Sequence, residues 1–149
     1  MLPFWLYQLT PKDALGNPVA RRFSTFRAYA AASVSPSGAI YTQTNADEVL
    51  VIGHSGIQAT PGAAQNFLSA RIVLVDTTTQ AELGCVQGVY NPLLAVARRF
   101  ESSAIVGEGL VVFAGEAVYI VGAFDAGAAS NSVTGYLSGF IIPRGTLQR

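Results

Sequence analysis

Charged side chains are scarce in this chain. They make up 12% of its 149 residues, about half the share that is usual in a soluble domain. Hydrophobic residues make up 50%. This composition fits a chain that buries much of its surface against copies of itself or against a partner. It fits equally a compact β-sandwich in which many alanines and glycines raise the apolar share.

Basic clusters and soft metal ligands are also missing. Nine basic residues balance nine acidic ones, and no run of basic residues is longer than two. Because a nucleic-acid interface needs clustered Lys and Arg, we expect no nucleic-acid partner. The single cysteine, Cys85, excludes an intrachain disulfide and a cysteine-based zinc site. We therefore expect no metal and no other cofactor.

No segment of the sequence predicts a membrane span. The opening MLPFWLYQL is apolar but short, contains Pro3, and lacks both a basic start and a small-residue cleavage site. It fits neither a signal peptide nor a membrane-spanning helix. We expect a protein made in a cytoplasm, with no membrane partner.

Residues 107–143 are the stretch around which the rest of the chain is organised. They predict three strands, Leu110–Phe113, Glu116–Asp125 and Val133–Pro143, separated by turns rich in Gly, Ala, Ser and Asn. Within the second strand, Val118–Ala123 is apolar at both alternating positions. Such a strand has both faces covered, so we expect it in the middle of the fold.

The preceding residues predict further short strands and no long helix. Phe67–Asp76 places Leu68, Ala70, Ile72 and Leu74 on one face and polar Ser69 and Arg71 on the other. Asn91-Pro92 before LLAVARR is compatible with a short helix, but we favour a strand because the flanking pattern is β. The further predicted strands are Leu2–Leu9, Val19–Tyr29, Ala39–Gln43, Val49–Ala59 and Ala95–Val106. Gly53 and Gly56 inside Val49–Ala59 indicate a bulge or a close approach of another backbone.

The sequence therefore predicts an all-β fold. We expect an antiparallel β-sandwich, a jelly roll of about eight strands, in one domain that spans residues 1–149. Residues 1–18 are either an extended N-terminal arm or part of the sandwich. Phe4, Trp5 and Tyr7 on that segment are too much aromatic surface to leave in water.

No constellation of residues predicts catalysis. Gly53-His54-Ser55-Gly56 resembles a nucleophile elbow, but Ile57 stands where the second glycine belongs. His54 and Ser55 are neighbours in a strand, so their side chains point to opposite faces. Glu108 and Glu116 flank a strand pair as glycosidase acids would, and Asp47, Glu48 and Asp125 lack the spacing of a calcium loop. We expect a protein that is not an enzyme.

Sugar binding is an open alternative. Jelly rolls often serve as lectin scaffolds. Trp5, Tyr90, Tyr119 and Tyr136 would supply rings for stacking, although aromatic residues in strands belong more often to the core.

Two segments carry a resemblance to a known group of proteins. VFAGEAVYIVGAF and the ending GYLSGFIIPRG, with NADEVLVIGHSGIQATPGAAQ before them, resemble the small jelly-roll virion proteins of tailed bacteriophages, of the head decoration (cement) or head-fibre type. The likeness covers roughly residues 45–145. It implies a homotrimer with a sandwich like that of tumour necrosis factor, and it carries over no catalytic residue.

Together these observations favour a structural virion protein. We expect it on the capsid surface, bound to the major capsid protein, with Phe4, Trp5, Tyr7, Arg21 and Arg22 in contact with partners. The alternative is a carbohydrate-binding, host-recognition module of a phage fibre or tail.

Overall fold

The computed structural model describes residues 12–17, 19–62, 67–90, 100–125 and 131–146, with the backbone alone at 100–109 and 146. This part of the chain contains no α-helix, and hence no helix long and apolar enough to cross a membrane. A single 3-10 turn, Arg144–Thr146, follows the last strand. The strands are β1 (Arg21–Ala31), β2 (Ser37–Thr42), β3 (Glu48–Thr60), β4 (Phe67–Asp76), β5 (Glu82–Tyr90), β6 (Phe100–Val112), β7 (Glu116–Phe124) and β8 (Asn131–Pro143).

The strands form two antiparallel four-stranded sheets. The first sheet has the order β1-β8-β3-β6 and the second the order β2-β7-β4-β5. Strand β1 pairs with β8, β2 with β7, β3 with β6 and β4 with β5. This pairing is that of one long hairpin whose successive strand pairs lie in alternate sheets. It is the topology of a jelly roll. The predicted all-β sandwich of about eight strands is confirmed.

The core lies between the two sheets and follows strand alternation. On β7, Val118, Ile120 and Phe124 face inward, and the ring of Phe124 meets that of Phe67 edge to face at 6.1 Å between centroids. On β8, Val133, Leu137 and Ile141 face inward from the opposite sheet. The remaining buried members of this core are Ile40, Leu50, Ile52, Ile57, Ala59, Ala70, Ile72, Leu74 and Val112.

Strand β4 has the predicted bounds, but a different residue faces the core at its start. Ala70, Ile72 and Leu74 are buried in the core as predicted, yet Phe67 takes the core position expected of Leu68. The reason is an irregularity in the β4–β7 ladder between Phe67 and Ser69, which reverses the alternation there.

Strands β5 and β6 differ from their predicted extents. No strand was predicted over Glu82–Tyr90, because Gly84 and Gly88 lower its β-propensity. In the structure this segment is a strand, paired with β4 by backbone hydrogen bonds. Strand β6 runs through Gly107 and Gly109, so the two short strands predicted on either side of these glycines are one. Residues 91–99, including the start of the predicted strand Ala95–Val106, lie outside the described residues.

The central position of β7 and the bulge in β3 are confirmed. β7 lies between β2 and β4, and the register of β3 shifts between Ile52 and His54, at Gly53. Full cover of both β7 faces is not found, because Tyr119, Val121 and Ala123 on its outward side are only half-buried.

Two buried carboxamides tie together the loops at the two ends of the sandwich. Gln43, 2% exposed, donates from Nε2 to the carbonyls of Asn45 and Glu48 at 2.8 and 2.9 Å. At the other end, the fully buried Asn131 accepts a hydrogen bond from Gly62 N at 2.9 Å and donates to Ser33 O at 2.8 Å. Each buried carboxamide thus satisfies its own polar atoms with backbone groups of the loops.

Close approach of the two sheets requires glycine at two facing positions. A Cβ atom at Gly122 of β7 would overlap Val133 Cγ1 of β8, and one at Gly135 of β8 would overlap the Ile40 side chain of β2. Val133 is β-branched and has little rotamer freedom with which to move away. The spacing of the sheets at β7 and β8 therefore depends on the absence of side chains there.

We expect Gly122→Ala to lower the free energy of unfolding by about 1–3 kcal/mol, the usual cost of overpacking a core. Gly84→Ala is the matched control in the same sheet, because a Cβ there meets nothing within 4 Å. Urea unfolding of both variants is the measurement. Equal stability of the two variants would show that the sheets have room at Gly122.

We expect Asn131→Ala to lower the free energy of unfolding by about 1–3 kcal/mol, since the buried Gly62 N–H loses its hydrogen-bond acceptor. Asn45→Ala is the control, because Asn45 is exposed and its side chain accepts a hydrogen bond only from the nearby Asp47 N. Thermal unfolding compares the two, and similar midpoints would contradict the role of Asn131.

Candidate functional site

The outer face of the second sheet is rich in Val, Ala and Ser. Its outward positions follow from the register: Tyr119 lies between Ala39 and Val73, and Val121 lies between Ser37 and Arg71. Tyr90, 73% exposed, stands at its β5 edge opposite Ser69. We call this surface the apolar face and define it by Ser37, Ala39, Ser69, Arg71, Val73, Val75, Glu82, Cys85, Gly88, Tyr90, Ala117, Tyr119, Val121 and Ala123.

The only charges on the apolar face neutralise each other. Arg71 donates from both terminal nitrogens to the two carboxylate oxygens of Glu82, each at 2.9 Å. These hydrogen bonds raise the pKa of Arg71 above its ordinary value. Solvent-facing sheets normally present polar side chains, so this face has the composition of a contact surface.

The outer face of the first sheet is different, because it carries an open groove of about 960 Å³. Gly56 on β3 lies between the outward side chains of His54 and Gln58, so the groove has no side chain at that point of its floor. Phe26 of β1 and Tyr136 of β8 are partners across the ladder, with ring centroids 6.1 Å apart. Ser24, His54 and Ser138 add polar atoms to the lining. We call this surface the ring groove.

The groove ends where a second hydrophobic cluster begins. Val49, Val51 and Ile142 are at most 2% exposed although they face away from the main core. Phe113 and Phe140 pack against them. This cluster closes the part of the first sheet's outer face next to the groove.

Sequence reasoning did not single out Phe26. It is 62% exposed, on the opposite face of β1 from Phe23 and Tyr29, which pack against the core. Alternation along β1 would have placed it outward, but only the register with β8 puts it beside Tyr136. Of the other rings proposed for stacking, Tyr90 and Tyr119 lie on the apolar face.

The predicted partner-binding residues are not all brought together. Phe4, Trp5 and Tyr7 lie outside the described residues. Arg21 pairs with Glu48 of its own chain at 2.9 Å, with 63% and 32% of the two side chains exposed. Arg22, its neighbour, is exposed on the other side of the strand, opposite Phe140. The two arginines therefore do not form one patch.

His54 and Ser55 face opposite sides of the first sheet, as the alternation predicts. Ser55 is fully buried, and its hydroxyl donates to Gln87 Oε1 at 2.8 Å, which bridges the two sheets between β3 and β5. His54 is exposed. An imidazole on the opposite face cannot take the Ser55 proton, so the pair has no nucleophilic geometry.

Two of the acidic residues have structural partners near turns. Glu116 accepts a hydrogen bond from Phe113 N at 2.9 Å and so closes the β6–β7 turn. Asp76 accepts from the backbone N–H groups of Thr79 and Thr78, which lowers its pKa below the ordinary value. The described residues contain no group of three or more His, Cys, Asp or Glu that could hold a metal ion. The side chain of Glu108 lies outside them.

Comparisons with known proteins return likenesses of structure. No protein-family profile and no curated protein sequence matches the chain. One similar solved structure is that of Bacillus endospore appendages, described as a family of disulfide-linked pili, with 13% identity, a TM-score of 0.42, and 89% of this chain and 96% of that chain covered. Another is infectious bursal disease virus, Gx strain, with 13% identity, a TM-score of 0.39, and 85% of this chain and 34% of that chain covered.

We expect a fluorophosphonate probe to label this protein no more at Ser55 than at other serines, because the hydroxyl is buried and engaged with Gln87. Ser55→Ala should lower the free energy of unfolding by about 1–2 kcal/mol, since Gln87 loses a buried partner. Ser35→Ala, in an exposed turn, is the control. Mass spectrometry after labelling, and urea unfolding, measure the two effects. Selective labelling of Ser55 would contradict the structural role.

Proposed function

We propose that this chain is a structural protein of a virion: a capsid decoration (cement) protein that binds the major capsid protein on the outside of a phage head. In this proposal it has no catalytic role. The observation that carries the proposal is the apolar face, an outward sheet surface whose only charged residues, Arg71 and Glu82, are paired with each other. A face of this kind suits a protein whose work is contact.

The size of the apolar face supports the proposal. Four strands about 4.8 Å apart, with about nine residues rising 3.3 Å each, give a footprint of roughly 600 Å². A stable protein interface buries about 800 Å² on each partner. The outline of the face is therefore close to that of one interface, against a second copy in a homotrimer or against the shell, although Val73, Val75 and Ala117 within it add little area because they are at most 5% exposed.

The charges of the apolar face would not oppose its burial. Removing an unpaired charge from water costs several kcal/mol, whereas this face offers none to remove. Arg71 lies beside Val121 in the middle of the face, so a contact would cover it together with Glu82 as a pair of opposite charges. Tyr119, Val121 and Ala123, which are half-buried, would gain about 25 cal/mol for each Å² removed from water. Val73, Val75 and Ala117 are at most 5% exposed already and would gain little.

Binding of this kind would stabilise a shell by mass action. A protein that binds only the assembled state shifts the equilibrium toward assembly. In this proposal, Phe4, Trp5, Tyr7 and the exposed Arg22 add contacts with the major capsid protein. Arg21, already paired with Glu48, would contribute less.

We expect light scattering behind a sizing column to give about three times the 15.6 kDa of one chain. Val121→Lys should lower that mass toward 15.6 kDa, because it adds a second positive charge next to Arg71 at the centre of the apolar face. Val34→Lys is the control, since Val34 is an exposed residue in the β1–β2 turn.

Co-sedimentation with assembled capsid shells distinguishes contact with copies from contact with the shell. If the apolar face binds the shell, Val121→Lys leaves the mass unchanged but abolishes co-sedimentation. The exposed Cys85, on the same face, should react more slowly with a maleimide whenever the face is covered. A wild-type monomer that neither binds shells nor protects Cys85 would contradict the proposal.

A further inference from the structure

The two aromatic rings of the ring groove are partly exposed to water. Phe26 and Tyr136 lie on neighbouring strands of the first sheet, 62% and 37% exposed, with an angle of 35° between their planes. They contact each other and not the core. Apolar surface in contact with water is unfavourable. A ligand with an apolar surface that covers the two rings would therefore gain free energy.

Polar groups of several kinds surround the rings. Ser24 and Ser138 are partners across the β1–β8 ladder, and His54 lies opposite Ser138 on β3. The Tyr136 hydroxyl donates to Gln58 Oε1 at 3.2 Å, which holds ring and carboxamide together. Hydroxyl, imidazole and carboxamide groups both donate and accept hydrogen bonds. They match a ligand whose own groups, like sugar hydroxyls, do both.

We propose that the ring groove is a carbohydrate-binding site in which the C–H face of a neutral pyranose stacks on Phe26 and Tyr136, with its hydroxyls bound by the surrounding polar side chains. Its volume of about 960 Å³ lies within the range of about 300–1,000 Å³ that is typical of small-ligand clefts. The groove thereby adds a recognition function to the contact function of the apolar face.

Other classes of occupant fit the groove less well. A peptide that adds a strand would pair along β1, the edge strand of this sheet, whereas the two rings stand on the outward face, with Tyr136 on β8 between β1 and β3. A nucleic acid needs a track of positive charge beside the stacking rings. Arg27 is the one arginine or lysine among the described lining residues.

The ring groove and the apolar face lie on opposite outer surfaces of the sandwich, because one belongs to each sheet. A copy or a shell bound to the second sheet would leave the groove of the first sheet pointing away from that contact. The two functions are therefore separable by substitution. A failure of glycan binding leaves the mass and shell-binding tests untouched, and the reverse holds as well.

The test screens the full chain on an array of neutral pyranose glycans and titrates it with cellohexaose, chitohexaose and mannohexaose by saturation-transfer NMR. We expect wild-type binding to at least one of these probes. Phe26→Ala and Tyr136→Ala should each weaken it by about tenfold or more, whereas Tyr136→Phe, which keeps the ring, should stay within about threefold. Leu15→Ala, which removes an exposed apolar side chain that belongs to neither surface, should bind like the wild type.

Circular dichroism and thermal unfolding establish that each variant is folded, which we expect because both rings are exposed. Three results would overturn the proposal. The first is no binding of the wild type to any neutral glycan. The second is unchanged binding by the Phe26→Ala, Tyr136→Ala double variant. The third is a lower mass of Phe26→Ala in solution, which would make the ring groove a contact between copies.

Discussion

The close approach of the two sheets is the constraint on which the rest of this structure depends. At Gly122 and Gly135 the facing sheet occupies the space that a side chain would take. This spacing lets Phe67 and Phe124, and the aliphatic side chains around them, pack against one another between the sheets. Because the inward faces are committed to packing, the outward faces are where recognition has to occur.

The two outward faces have different chemistry because different residues occupy equivalent positions. The second sheet presents Val, Ala and Tyr at its centre, and its one ion pair joins Arg71 on β4 to Glu82 on β5. The first sheet presents a glycine, Gly56, where its central strand would otherwise project a side chain, and so becomes concave. The apolar face, whose two charges are paired, favours a protein contact. The ring groove, with its aromatic rings and hydroxyl groups, favours a small polar ligand.

Much of the fold was predictable because strands that pack against one core alternate with period 2. Phe67–Asp76 has its predicted bounds, the bulge lies at Gly53, and β7 is central. The failures have a common cause in tertiary pairing. β5 contains Gly84 and Gly88 and has little strand propensity of its own, and the shift between Phe67 and Ser69 depends on β7. Neither the partner strand nor its register can be read from the residues on one strand alone.

The candidate sites were accessible to the sequence only in part. The scarcity of charge, the separation of His54 from Ser55 and the all-β class follow from composition and from strand alternation, which are local properties. The neighbourhood of Phe26 and Tyr136, 110 positions apart in the chain, and the pairing of Arg71 with Glu82 were decided by the register between strands. Register is a property of the assembled sheets, because each ladder is selected by the packing of all the side chains between them. The sequence by itself determined what kind of sheets this chain makes, and the tertiary structure decided which side chains meet on their outer faces.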